Sequence, residues 1–272
     1  MPNPTLTDLA QRFLALHRKG SPLLLANAWD TGTARLLASL GFEALATTSW
    51  GHAGTLGRRD GCVTRDEALA HAREIAAATP LPVNADLERC FAIAPEGVAE
   101  TLRLAARTGI AGASVEDSTG EAASPMHPPE LATARVEAAA LAARAGGFVL
   151  TARCENYLHG IRDLKDTIAR LQSFEAAGAD VLYAPGLSDL REIETVVKSV
   201  GAPVNVLCMP NGPTVPELAS VGVARISVGS TFYNAAMGAL VEAAREWREQ
   251  GTHGFWQRAI VGANAGRSAF RA

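Results

Sequence analysis

Eight short apolar runs, each followed by a helix-like stretch, leave this chain few folds to adopt. The runs fall at 23–28, 44–49, 82–87, 112–116, 148–153, 181–184, 204–207 and 225–228. Between them lie segments rich in Ala, Leu and Glu with helical periodicity, such as 68–78, 95–107, 163–177 and 188–199. Gly41, Gly109, Gly178 and Gly222 stand just before the next run, where a left-handed C-cap ends a helix and feeds a strand. Strand–helix alternation implies parallel strands, because parallel neighbours need a crossover connection. Eight repeats imply closure into an α/β (β/α)8 barrel of the TIM type. An open doubly wound sheet is the alternative, but its glycine-rich turn G-x-G-x-x-G after the first strand is missing. The length of 272 residues suits one such barrel, and 48% apolar residues can fill its core. We therefore expect a single domain over 1–272, with 236–272 as a C-terminal helical extension. The apolar tail 254–272, with Phe255, Trp256 and Phe270, is expected to cover either a partner subunit or its own barrel.

Charge and cysteine usage narrow the function. A net charge of -3 gives no reason to expect a nucleic-acid partner. Cys62, Cys90, Cys154 and Cys208 are far apart and form no C-x-x-C pair, so neither a zinc knuckle nor a disulfide scaffold is indicated, and a reducing compartment fits. Residues 1–20 read as a polar amphipathic helix without an apolar signal core. No run approaches the ~20 apolar residues that cross a bilayer. The expectation is a cytoplasmic protein with no membrane partner.

Active residues of a barrel lie at the C-terminal ends of its strands. There the second run offers Thr47, Thr48, Ser49, Trp50 and Gly51; the third Asn84, Asp86 and Glu88; the fourth Ser114, Glu116 and Asp117; the fifth Thr151, Arg153 and Glu155; the seventh Asn205; the eighth Ser227 and Ser230. Residues two apart on a strand share a face. If those faces point inward, the barrel mouth gathers at least three carboxylates and one arginine. Buried unpaired charge is too costly to keep for packing alone. Two compensators are open: a hard cation with oxygen ligands, Mg2+ or Ca2+, or Arg153 in a structural ion-pair network. No histidine pair has zinc-site spacing; the six histidines read as surface or packing residues, with His52 the one to watch. A cation beside an arginine suits a small 2-oxo carboxylate, with hydroxyls and N–H groups of Thr48, Ser49, Trp50 and Gly51 holding the acid group and Arg153 donating to it. The irregular stretch 117–129, "DSTGEAASPMHPP", is long enough to serve as a lid.

The stretches "NAWDTGTARLLASLGFEALATTS", "LGRRDG", "PVNADLE", "GASVEDST", "TARCENYLHG", "AGADVLYAPG" and "GVARISVGS" together resemble the isocitrate lyase / phosphoenolpyruvate mutase superfamily over about residues 22–235. The resemblance implies Asp86 as the direct metal ligand, with Glu88 and Glu116 holding the metal through water. It implies Arg153 as a substrate contact, Thr48, Ser49 and Trp50 as the carboxylate-binding loop, and Asp60 as an active-site aspartate; Asn205, at the end of the seventh run, is a further substrate-binding candidate. Spacing alone would make Asp60 a turn residue before Gly61. The implied cofactor is Mg2+, with Mn2+ as the alternative; the implied assembly is a homo-oligomer, dimer or tetramer. Two departures stand out. The lid Lys-Cys-Gly-His of the family's lyases and the lid lysine of its phosphonopyruvate enzymes are absent, since no lysine lies between Lys19 and Lys165. After Glu88 the family's Gly-aromatic-Gly turn is replaced by Arg89, Cys90, Phe91 and Ala92, leaving Cys90 either as a substitute acid or as a gap-filler.

The expected activity is metal-assisted cleavage of a carbon–carbon bond in a small 2-oxo or 2-hydroxy acid through a stabilised enolate. Decarboxylation of an oxaloacetate-like acid asks least of the lid. The alternatives are P–C chemistry on phosphonopyruvate, a non-catalytic 2-oxo acid binder, and a class II aldolase.

Overall fold

A computed structural model describes residues 6–270. Its strands are β1 (Leu23–Ala28), β2 (Leu45–Thr47), β3 (Val83–Asp86), β4 (Gly112–Glu116), β5 (Val149–Arg153), β6 (Val181–Tyr183), β7 (Val204–Leu207) and β8 (Arg225–Ser227). They pair in sequence order, all parallel, and β1 closes on β8 through Leu23↔Arg225, Leu24↔Ile226 and Leu25↔Ser227. That closure confirms the barrel and excludes the open sheet. The helices are α1 (Leu6–Ala15), α2 (Thr31–Ser39), α3 (Ser49–Thr55), α4 (Arg65–Ala78), α5 (Pro95–Ala105), α6 (Pro129–Gly146), α7 (Leu164–Ala176), α8 (Leu190–Ser199), α9 (Val215–Ser220), α10 (Thr231–Gln250) and α11 (Trp256–Ala269). Gly41, Gly109, Gly178 and Gly222 all take the left-handed backbone expected of them, with φ of 90°, 87°, 101° and 85°.

Side-chain caps set where the helices start. Asp30, Thr64, Asp163 and Asp189 each accept a backbone N–H of the first turn of the helix that follows. The same rule shortens the second expected strand: Thr48 accepts from Gly51 N and begins α3, so β2 stops at Thr47. The N-terminal helix ends at Ala15 rather than running to Gly20; the part of that expectation on residues 1–5 lies outside the described residues, as do residues 271–272 of the tail.

The main core lies between sheet and helices, around Leu102, Leu150, Leu171, Phe174 and Val196. A second cluster closes the N-terminal end of the barrel. There Ala10 and Phe13 of α1 meet Leu23, Leu25, Ala44, Ala46, Val149 and Val181 at the strand starts. Burying a phenyl ring of this kind contributes about 1.5–3 kcal/mol. Helix α1 thus plugs the barrel from below. The tail returns to its own barrel: α11 lies against α2, with Phe270 beside Gly32. No helix among the described residues is long and apolar enough to cross a membrane.

Candidate active site

A cavity of about 190 Å3 descends from the C-terminal strand ends into the barrel. Thr48, Ser49, Asp60, Asp86, Arg153 and Asn205 line it, as the sequence leads one to expect. At its centre is Arg153, the last residue of β5. The guanidinium donates to Glu116 at 2.9 Å, to Asp86 at 3.3 Å and, through Nε, to Glu155 at 2.8 Å. Its Cζ stands 5.3 Å from the centre of the Tyr183 ring. Burial opposes the Arg153 charge, but Glu116, Glu155 and Asp86 outweigh it and hold the pKa well above the usual value.

Asp86 is positioned from three sides. Its carboxylate accepts from Ser49 N at 3.1 Å and from Arg153, while its backbone N–H donates to Thr47 Oγ1 at 2.8 Å. Glu88 follows in a turn where Glu88, Cys90 and Phe91 all have positive φ (49°, 58° and 55°). For residues with a Cβ each such position costs about 1–2 kcal/mol. Glu88 therefore does not continue the strand alternation; the turn instead aims it into the small space bounded by Thr47, Ser49, His52, His71 and Asp86. Burial, then Asp86 and Asp60, push its pKa up to about 7. Burial, reinforced by Glu155, Asp86 and Glu88, raises Glu116 against the opposing pull of Arg153. Asp60 sits on an exposed loop, but its carboxyl turns to the cavity beside Ser49, and burial there raises its pKa.

The strained turn has a buried brace. Arg135 of α6 donates to the carbonyls of Arg89 at 2.8 Å, Ile93 at 2.9 Å, Glu116 at 3.4 Å and Ala92. Removing it in Arg135→Met leaves those carbonyls unpaired and should lower stability by about 2–3 kcal/mol, a fall of roughly 5–10 °C in melting temperature. An unchanged melting curve would mean the turn stands without the brace.

Not every expected residue faces the cavity. Trp50 is exposed and donates from Nε1 to Asn234 Oδ1 at 3.1 Å; Gly51 is buried in α3, its N–H directed to Thr48 Oγ1. The N–H of Ser49 is spent on Asp86. Cys90 is fully buried in the main core, and burial pushes its thiol up to about 12, so it fills a gap and does not replace a lid acid. The stretch 117–129 is tied at its base: Asp117 accepts from His127 N at 2.9 Å and from Arg170 at 3.2 Å, and Thr119 N donates to Pro125 O at 2.8 Å. His17, His71 and His127 are buried and His52 stacks on His71 with ring centres 3.8 Å apart; they are packing residues, none of them on the cavity wall.

Several cavity residues lie outside the set expected to be functional. Asn27 donates to Thr47 O at 2.8 Å and accepts from Gly229 N at 2.9 Å, clamping β2 to the loop after β8. Tyr183, Leu158 and Arg225 also line the wall. A polar residue inside an apolar run was the available signal for Asn27.

Comparison with known proteins agrees with this geometry. The family model described as phosphoenolpyruvate phosphomutase matches residues 13–248. A protein of Burkholderia cenocepacia J2315, provisionally named a lyase/mutase, shares 51% identity and a TM-score of 0.91, covering 96% of this chain and 95% of its own. An uncharacterized protein of Mycobacterium tuberculosis is 35% identical over 86% of this chain and 87% of its own length. An oxaloacetate decarboxylase of Pseudomonas putida is 27% identical over 92% and 88%. The chain belongs to the phosphoenolpyruvate phosphomutase family, within the isocitrate lyase/PEP mutase superfamily of lyases and mutases, and is an enzyme of that superfamily.

Proposed function

We propose that this enzyme is a Mg2+-dependent lyase that cleaves a carbon–carbon bond of a small 2-oxo or 2-hydroxy acid, with decarboxylation of an oxaloacetate-like acid as the leading reaction. The observation that carries this is the carboxylate excess at the cavity. Asp60 and Asp86 line it, Glu88 shares the adjoining small space with Asp86, and Arg153 on the cavity wall pairs with Asp86, Glu116 and Glu155, while the half-exposed Arg89 approaches Glu88 at 3.6 Å. A carboxyl held at about 7 beside two others is a group short of positive charge. The donors are all oxygen, which suits Mg2+, or Mn2+ in its place. Among the described residues no three of these groups already converge as ligands. The cation proposed here is held directly by Asp86 and through water by Glu88 and Glu116, since Mg2+ usually keeps several waters.

Bound there, the cation would supply Lewis-acid stabilisation for charge developing on the 2-oxo group. The protein supplies the rest. Thr48 and Ser49 hydroxyls and the Asn205 amide orient the acid, and Arg153 fixes the carboxylates around it. Asp60 stands at the cavity wall, where burial raises its pKa, and is the group placed to pass a proton to the carbon left when the bond breaks. The missing lid lysine and cysteine matter least for loss of CO2. The test is turnover of a 2-oxo acid panel, led by oxaloacetate and including phosphonopyruvate, with Mg2+ and with EDTA. Metal-dependent pyruvate release supports the reading; phosphate release from phosphonopyruvate alone replaces it with P–C chemistry.

The assembly is proposed as a homodimer or homotetramer. Helices α10 and α11 contain no buried residue, and Leu240, Val241, Trp247, Trp256, Ile260 and Val261 are exposed on them, Val261 at 70%. So much apolar surface on paired helices is typical of an interface. Light scattering should give two or four times 28.4 kDa, and Trp247→Glu with Ile260→Glu should return the mass to one subunit. A monomeric parent protein would contradict this.

A further inference from the structure

Beneath Arg153, at the floor of the same cavity, a second arginine has no counter-charge. Arg225 opens β8 and is 2% exposed. Nη1 meets His17 Nε2 at 3.2 Å, Nη2 donates to Thr151 Oγ1 at 3.2 Å, and Nε has no partner. Both acceptors are neutral: His17 Nδ1 lies 2.9 Å from Phe13 O, so Nε2 carries the lone pair, and burial followed by Arg225 itself lowers the His17 pKa to about 3. The Phe13 ring lies 6.0 Å from the Arg225 Cζ. The other buried arginines are provided for. Arg153 has three carboxylates, Arg170 has Asp117 and Asp166, and Arg135 has four carbonyls.

An unpaired buried guanidinium is costly, and a Met of similar length would fill the same space without that cost. Burial, and to a lesser degree Arg153, pull the Arg225 pKa down to about 9, so it is charged at neutral pH. Ser227 and Asn205 stand beside it on the cavity wall. Asn205 Nδ2 donates to Ser227 Oγ at 3.0 Å and its Oδ1 has no partner. Turning that amide over lets Ser227 donate to it and leaves its N–H2 as a buried donor without a partner.

We infer that the cavity floor is an anion subsite, in which Arg225, with Asn205 and Ser227, takes a carboxylate-sized anion. Two sources share this chemistry. One is the second acid group of a dicarboxylate substrate, which rests on the function proposed above. The other is a free halide that neutralises the floor. Arg225 makes the cavity selective for anions whichever occupies it.

The test is thermal melting of the full-length protein in EDTA, with sodium chloride or sodium malonate compared with the bulky anion gluconate at equal ionic strength. The parent protein should melt about 2–4 °C higher with a binding anion at high saturation, and Arg225→Met should show no rise. A rise with malonate but not chloride assigns the site to a substrate carboxylate; a rise with both assigns it to any small anion. Should Arg225→Met fail to fold, Arg225→Lys keeps the charge and should need roughly tenfold more anion for the same rise, the loss of one bidentate bond. No rise in the parent protein, or equal rises in parent and Arg225 variants, overturns the subsite. Asp86→Ala should retain the response, so failure of the metal site and failure of the anion site read out separately.

Discussion

Asp86→Ala should lose metal-dependent turnover by at least about 10^3-fold while remaining folded. Asp86 is the one carboxylate that touches the Ser49 loop and Arg153 together and also abuts Glu88. Removing it takes away the proposed direct cation ligand, whose contribution to a charge-developing transition state is several kcal/mol. Stability should change little or improve, because the variant relieves repulsion among Asp60, Asp86 and Glu88. The same crowding gives the parent protein a pH signature. Glu88 titrates at about 7 without a cation. A cation binds the carboxylate, so its affinity should level off above pH 7 and fall by up to tenfold per unit below it. Calorimetry in buffers of different ionisation enthalpy should then detect a proton released on binding at pH 6.5. Wild-type turnover in Asp86→Ala, or cation affinity indifferent to pH between 6 and 8, would remove Asp86 and Glu88 from the site.

Arg153→Met should be the most destabilising change at the site. It leaves Glu116, Glu155 and Asp86 buried with no counter-charge, and breaking such a cluster costs about 3–5 kcal/mol, or roughly 10 °C. The pH dependence has a fixed sign. With Arg153 gone, the folded-state pKa of Glu116, already raised by burial, rises further above the unfolded value near 4. Glu116 then keeps a proton on folding that the unfolded chain releases. The penalty therefore grows as pH rises above about 4 and shrinks as pH falls. The gap in melting temperature between Arg153→Met and parent protein should be wider at pH 8 than at pH 5.5. A constant gap would mean that lost packing, not unpaired charge, is responsible.

Much of this was legible in the sequence, and the misses have physical causes. Parallel strands covered on both faces give continuous apolar runs, so β1, β4 and β7 coincide with their runs residue for residue. Boundaries failed where a side chain intervened, as Thr48 does in ending β2 to cap α3. Strand parity placed Asn84 and Asp86 together on the cavity wall, and Thr151 and Arg153 together on β5. It failed for Glu88, because parity ends with the strand and left-handed residues without glycine give little signal in one sequence. The two compensators left open for the carboxylates are compatible, since Arg153 pairs with three and Glu88 remains short of charge. Trp50 was expected in the carboxylate-binding loop, but the turn into α3 carries it outward to Asn234. Arg225 was hidden because a charged residue opening a short apolar run looks like a strand boundary; only the closed register, which sets it opposite Leu23 and Asn205, reveals it inside the barrel.

The most direct measurement is calorimetric titration of oxalate, a mimic of the pyruvate enolate, into the protein with Mg2+ and with EDTA. Binding that requires Mg2+ and vanishes in Asp86→Ala is the predicted result. Oxalate binding of equal strength with and without Mg2+, or none under either condition, would contradict a metal-assisted lyase site in this barrel.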